Sequence, residues 1–114
     1  MRHWRTFPVL FIETDVFSEL LKEIWNDDEF GRFQDFLKRN PEAGKTVAGT
    51  GGMRKVRWAG SGRGKRGGAR VIYYFERNRD QIWLFLIYLK ARKDDLTARE
   101  KTVLRAVLER WSDG

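Results

Sequence analysis

Cysteine is absent from this chain, and histidine occurs once, at His3. Disulfides and thiolate metal sites are therefore excluded. A histidine-based metal cluster or a Ser-His-Asp triad cannot be assembled from this chain alone. Proline is scarce, at Pro8 and Pro41. Long apolar runs at the N-terminus are lacking too: Val9 to Ile12 is ended by Glu13 and Asp15. That run is too short for a signal-peptide core, and nothing approaches the roughly 20 apolar residues of a membrane span. These absences predict a cytoplasmic protein without a membrane partner, a metal or a cofactor.

What is present suits one ordinary domain over residues 1–114. The chain is 41% hydrophobic and carries eight Phe, five Trp and three Tyr, enough for a real core. Lys and Arg number 23 against 16 Asp and Glu, a formal net charge of +7. Charge of that sign points to a polyanionic partner: nucleic acid, an anionic membrane surface or an acidic protein.

Residues 7–14, FPVLFIET, predict a short first strand, restricted by Pro8 to an edge or a strand start. Asp15 is placed to cap a helix with the stripe Val16, Phe17, Leu20, Leu21, Ile24 and Trp25. Asn26, Asp27 and Asp28 can each cap the next helix, whose stripe is Phe30, Phe33 and Leu37 with Phe36 beside it. That helix should stop near Asn40, because Pro41 disfavours helical geometry at the residue before it. Residues 41–52 read as connection. MRKVRWA (53–59) alternates as a strand does, ARVIYYFE (69–76) is rich in strand-forming residues, and RNRD turns the chain. QIWLFLIYL (81–89) is a nearly continuous apolar run, as in a central strand buried on both faces. Thr97 with Glu100 fits a capping box, and Val103, Leu104, Val107, Leu108 and Trp111 form the last helical stripe. The order β-α-α-β-β-β-α predicts an α+β domain. A small antiparallel sheet is packed by two N-terminal helices and one C-terminal helix.

Residues 60–70, GSGRGKRGGAR, contain G-x-G-x-x-G at Gly62, Gly64 and Gly67. A dinucleotide site needs a helix after such glycines, to aim its positive dipole end at the pyrophosphate. Here a strand-forming segment follows. The phosphate-loop pattern fails too, with Ala59 at its first glycine and Arg66 at its hydroxyl position. The stretch reads as a flexible hairpin connection carrying cations, either a solvated turn or a phosphate-gripping arm.

The flanking strands favour the second reading. Alternation puts Lys55 and Arg57 on one face, with Val56 and Trp58 on the other. Arg70, Ile72 and Tyr74 share a face opposite Val71, Tyr73 and Phe75, and Tyr88 and Lys90 share one at the end of the last strand. A meander can bring Lys55, Arg57 and Arg70 together, with Lys90 joining according to register. Such a patch suits RNA: cations hold phosphates, and aromatic rings stack on unpaired bases. It also suits RNA cleavage, in which fixed guanidinium groups stabilise charge developing on the phosphoryl oxygens. Arginine is a poor general base, so proton transfer falls to Lys90, a tyrosine or a carboxylate. Tyr73, Trp58, Trp83 and Trp111 read as packing residues, and His3 as incidental.

TGGMRKVRWAGSGRGKRGGARVIYYF (50–75) resembles the central signature of HigB-type toxins in the RelE/ParE superfamily, and IYLKARKDDLTAREK (87–101) resembles the segment that follows. The resemblance implies a RelE-like fold and the toxin of a bacterial type II toxin–antitoxin pair. It implies a ribosome-dependent endoribonuclease that cuts messenger RNA without metal and is neutralised by a helix-turn-helix antitoxin. Some superfamily members instead poison DNA gyrase, but the cationic loop beside Arg70 is closer to the RNA-cutting branch. A non-catalytic RNA-binding module is the other alternative. Matched by position, the catalytic surface implied is Arg57, Arg70 and Lys90; Tyr88, beside Lys90 on the last strand, is an alternative for proton transfer taken from the residues themselves. Arg54, Lys55, Arg63, Lys65, Arg66 and Tyr74 are the expected RNA-binding set. After Lys90, relatives often carry Asn-Glu where this chain has Ala91 and Arg92. Better-known RelE members also place a tyrosine in the C-terminal segment, and residues 91–114 contain none.

Overall fold

A computed structural model describes residues 9–59 and 68–113. The elements run β1 (Leu10–Glu13), α1 (Asp15–Ile24), α2 (Asp27–Arg39), β2 (Lys45–Thr46), β3 (Arg54–Trp58), β4 (Ala69–Glu76), β5 (Gln81–Leu89) and α3 (Ala98–Asp113). The α+β class and the two-plus-one helix arrangement are as the sequence predicts. The five strands form one sheet in the order β1-β5-β4-β3-β2. β3, β4 and β5 make the antiparallel meander, while β1 pairs with β5 in parallel. The sheet is thus mostly antiparallel, as expected, and mixed at the β1 edge. Two corrections concern boundaries. The 41–52 connection contains β2, which pairs with Lys55 and Arg54 of β3. The cap of α1 is Thr14, whose Oγ1 accepts from the Phe17 amide, and Asp15 sits in the first turn.

Local chemistry explains the remaining helix ends. Asn26 caps α2 by accepting from the Glu29 amide at 2.8 Å. The helix stops at Arg39, ahead of Asn40 and Pro41. Thr97 and Glu100 form the reciprocal capping box of α3: Oγ1 accepts from the Glu100 amide at 3.1 Å, and Oε1 accepts from the Thr97 amide at 2.8 Å.

The sheet separates two apolar clusters. On one face, α1 and α2 bring Phe17, Phe33 and Leu37 against Val71, Tyr73, Leu84 and Ile87. Phe33 and Phe36 pack on Trp58, whose indole N–H donates to Glu29. On the other, α3 packs Leu104, Leu108 and Trp111 against Ile72, Trp83 and Phe85. The stripe residues Val16 and Val103 are the exceptions, both exposed. Tyr73 is buried as expected of a core residue. Its hydroxyl donates to the Pro41 carbonyl and accepts from the Gly44 amide.

One irregularity positions the site. Between Ile72 and Tyr73 the register shifts, from Ile72↔Leu86 to Tyr73↔Leu84, so Phe85 is an extra residue on β5. Strict alternation from Trp83 would send Tyr88 to the α1/α2 face. The bulge reverses the alternation, and Tyr88 joins Trp83 and Phe85 in the α3-side cluster.

Candidate functional site

Register assembles a row across three strands. Arg57 of β3 opposes Arg70 of β4, and Arg70 opposes Tyr88 of β5. Directly opposed residues share a face, with Cβ atoms about 5 Å apart. Two guanidinium groups in that relation place two fixed positive charges side by side. Arg57 is exposed, Arg70 half-buried, and Tyr88 buried at 7% exposure. Lys55 lies two residues from Arg57 on the same face, opposite Ile72. Lys90 follows the end of β5, where its amide donates to the Gly68 carbonyl.

The segment joining β5 to α3 supplies acidic partners that the sequence analysis did not single out. Asp94 accepts from Lys90 Nζ at 2.6 Å, and Asp95 from Lys55 Nζ at 3.2 Å. Hydrogen bonding to Lys90 holds the Asp94 carboxyl below the usual carboxylate range. The Leu96 amide, and then Lys55, do the same for Asp95. Glu100 accepts from Lys93 at 2.7 Å, and that contact together with the Thr97 amide lowers its pKa. Lys55 of the expected RNA-binding set and Lys90 of the expected catalytic set are therefore matched to carboxylates within the chain itself. Such exposed pairs are individually weak and screened by solvent, so a phosphate can displace them.

Tyr88 lies among these charges. Burial, and then Asp95, push its hydroxyl above the ordinary pKa of 10.0, and Arg70 opposes that shift. The hydroxyl has no hydrogen-bond partner among the described residues, and Lys93 Nζ stands 5.9 Å from the ring centre. At neutral pH it is a protonated phenol, able to give a proton.

Other expected residues fall elsewhere. Arg54 shares the face of Val56 by alternation, and its guanidinium donates to the carbonyls of Gly44 and Glu42 at 2.8 and 3.3 Å. Tyr74 packs tilted against Trp83, ring centres 5.4 Å apart, four residues along β4 from Arg70. Arg63, Lys65 and Arg66 lie outside the described residues. A cleft of 640 Å³ lined by Phe36, Pro41, Phe75 and Arg77, among others, shares no residue with the row. No group of three or more His, Cys, Asp or Glu side chains among the described residues could hold a metal ion. No described helix is long and apolar enough to cross a membrane.

No family model matches the chain.

Proposed function

We propose that the chain is the toxin of a type II toxin–antitoxin pair and acts as a ribosome-dependent endoribonuclease on messenger RNA. The observation that carries this reading is the Arg57–Arg70–Tyr88 row, closed by Lys90, on an otherwise well-packed sheet. The resemblance of residues 50–75 and 87–101 to HigB-type toxins supports it, as does the RelE-like order of elements.

The chemistry follows from the residue types. Arg57 and Arg70 hold the scissile phosphate and stabilise the charge that builds on its oxygens. The ribose 2′-oxygen forms a bond to phosphorus as the bond to the 5′-oxygen breaks. Tyr88, kept protonated by burial and Asp95, gives its proton to that leaving oxygen. Lys90, in its unprotonated amine form, receives the 2′-hydroxyl proton once substrate has displaced Asp94, and the resulting ammonium returns a proton through solvent to the Tyr88 phenolate. Lys55, with Arg63, Lys65 and Arg66, grips flanking phosphates. The cognate helix-turn-helix antitoxin is the expected partner.

One observation favours a second reading, a non-catalytic RNA-binding module. In the resting site Tyr88 is a protonated phenol and Lys90 is engaged by Asp94, so neither stands ready as a base. Arg70→Ala separates the readings when the chain is induced in bacteria. For the nuclease, wild type produces new transcript 5′ ends and growth arrest. The folded variant loses both, with a cleavage rate down by about 10²–10³. Growth arrest undiminished in the folded variant would falsify the assignment. Arrest without new transcript ends selects the binding module, and DNA breaks with an SOS response select gyrase inhibition.

A further inference from the structure

Beyond Tyr88 the row ends in a cleft of 330 Å³ at the β5 edge of the sheet, walled by Leu20 and Ile24 of α1 and by Leu86 of β5. Its rim carries Glu23 and Glu100 against Arg92 and Lys93. We propose that this cleft takes an unpaired nucleobase of the RNA strand whose phosphate lies at Arg57 and Arg70. The inference rests on the proposed RNA-directed function.

The cleft differs from the row in the charge it presents. Arg57 and Arg70 offer two adjacent cations and suit a phosphate. The rim of the cleft has two carboxylates and two cations, so it has no net attraction for an anion. A neutral heterocycle fits better on three counts. Its faces bury against Leu20, Ile24 and Leu86. Its edge carries both donors and acceptors, which need carboxylates as well as cations around them. The volume lies in the range of small-ligand sites, about 300–1,000 Å³.

Tyr88 lines the cleft and connects it to the row. It is in register with Arg70, while Lys93 stands over its ring and pairs with Glu100. Its hydroxyl is buried without a partner among the described residues. Strand spacing is about 4.8 Å, so the cleft begins one strand beyond Arg70. Phosphate and base can then be bound side by side.

The test is an amide-resolved NMR titration of the full chain. The ligands are ribose 5-phosphate, which has no base, and the four nucleoside 3′-monophosphates. All are expected to shift amides around Arg57 and Arg70. Only the base-bearing ligands should also shift Ile24, Ile87 and Arg92, and at least one should bind about tenfold tighter than ribose 5-phosphate, as expected of one stacked base. Ile24→Glu, which places a charge in the apolar wall, should remove that gain and leave the ribose 5-phosphate response intact. Equal affinity for all ligands, with silent cleft amides, overturns the base site and leaves the anion site standing. Cleft shifts without any response at Arg57 and Arg70 support the base site and count against the proposed function. Silence throughout overturns both.

Discussion

The two faces of the sheet bury different amounts of what they carry. On the α1/α2 face, Val71, Tyr73, Leu84 and Ile87 are all fully covered, and Phe33 is locked between Trp25 and Trp58. On the α3 face, coverage is complete at Ile72, Trp83 and Phe85 and lapses at Arg57 and Arg70. Opposed arginines are a poor choice for stability. The contrast shows where this chain concentrates its packing and where it leaves charge at the surface, and the second region is the one proposed to bind RNA.

The largest effect that would sharpen this contrast comes from paired truncations. Phe33→Ala should cost about 3–5 kcal/mol in urea unfolding, by transfer and cavity terms. Arg57→Ala, with an exposed side chain, should stay within about 0.5 kcal/mol. A comparable loss at Arg57 would mean that the row is structural. Next comes Gly68→Ala. Gly68 has φ of +62°, and an added Cβ would lie 2.7 Å from the Trp58 carbonyl oxygen. The substitution should cost roughly 1–3 kcal/mol, and it should disturb the Arg57↔Arg70 register as read by amide exchange. Normal exchange in the variant would show that the register does not depend on this residue.

The smallest effects concern the acidic partners. Asp94→Asn with Asp95→Asn should leave the urea midpoint nearly unchanged, because exposed pairs are screened by solvent. It should also tighten RNA binding a few-fold at low salt, the gain vanishing at high salt as screening removes it. Unchanged binding would show that these carboxylates do not compete with phosphate. The pH dependence follows from the depressed carboxyl pKa values of Asp94, Asp95 and Glu100. Their contribution is fully present above the usual carboxylate range and is lost as pH falls through the lowered folded values. Tyr88 titrates in the opposite sense. Burial raises it above 10.0, so its contribution is complete below that value and is lost as pH rises through the higher folded one. An ultraviolet titration in which Tyr88→Phe removes no late-ionising phenol would contradict that placement.

Much of this architecture is legible in the residues. Pro41 marks the end of α2, Thr97 and Glu100 announce α3, and the run 81–89 declares a buried strand. The same run hides the bulge. With apolar residues at nearly every position there is no alternation to break, so the placement of Tyr88 beside Arg70 cannot be read from it. β2 escaped because a two-residue strand between turns leaves no period. Thr14 and Asp15 are both capping types, and tertiary context chose between them: Thr14 Oγ1 also donates to the Phe85 carbonyl. At the site, the cations on β3 and β4 were visible through alternation. Asp95 was not, because its partner Lys55 lies 40 residues away on β3. Asp94 lies only four residues after Lys90, but in a connection with no helical period nothing in the sequence signals that the two meet.

Gly68 closes the hairpin against Trp58 and Ala59, and its carbonyl accepts from the Lys90 amide. It therefore acts as a mooring for both strands that carry arginine. The pairing of Arg57 with Arg70 is thus held from its open end by backbone contacts, which do not depend on the side chains of the row. Substitutions on the row can then change its chemistry and leave its anchorage in place.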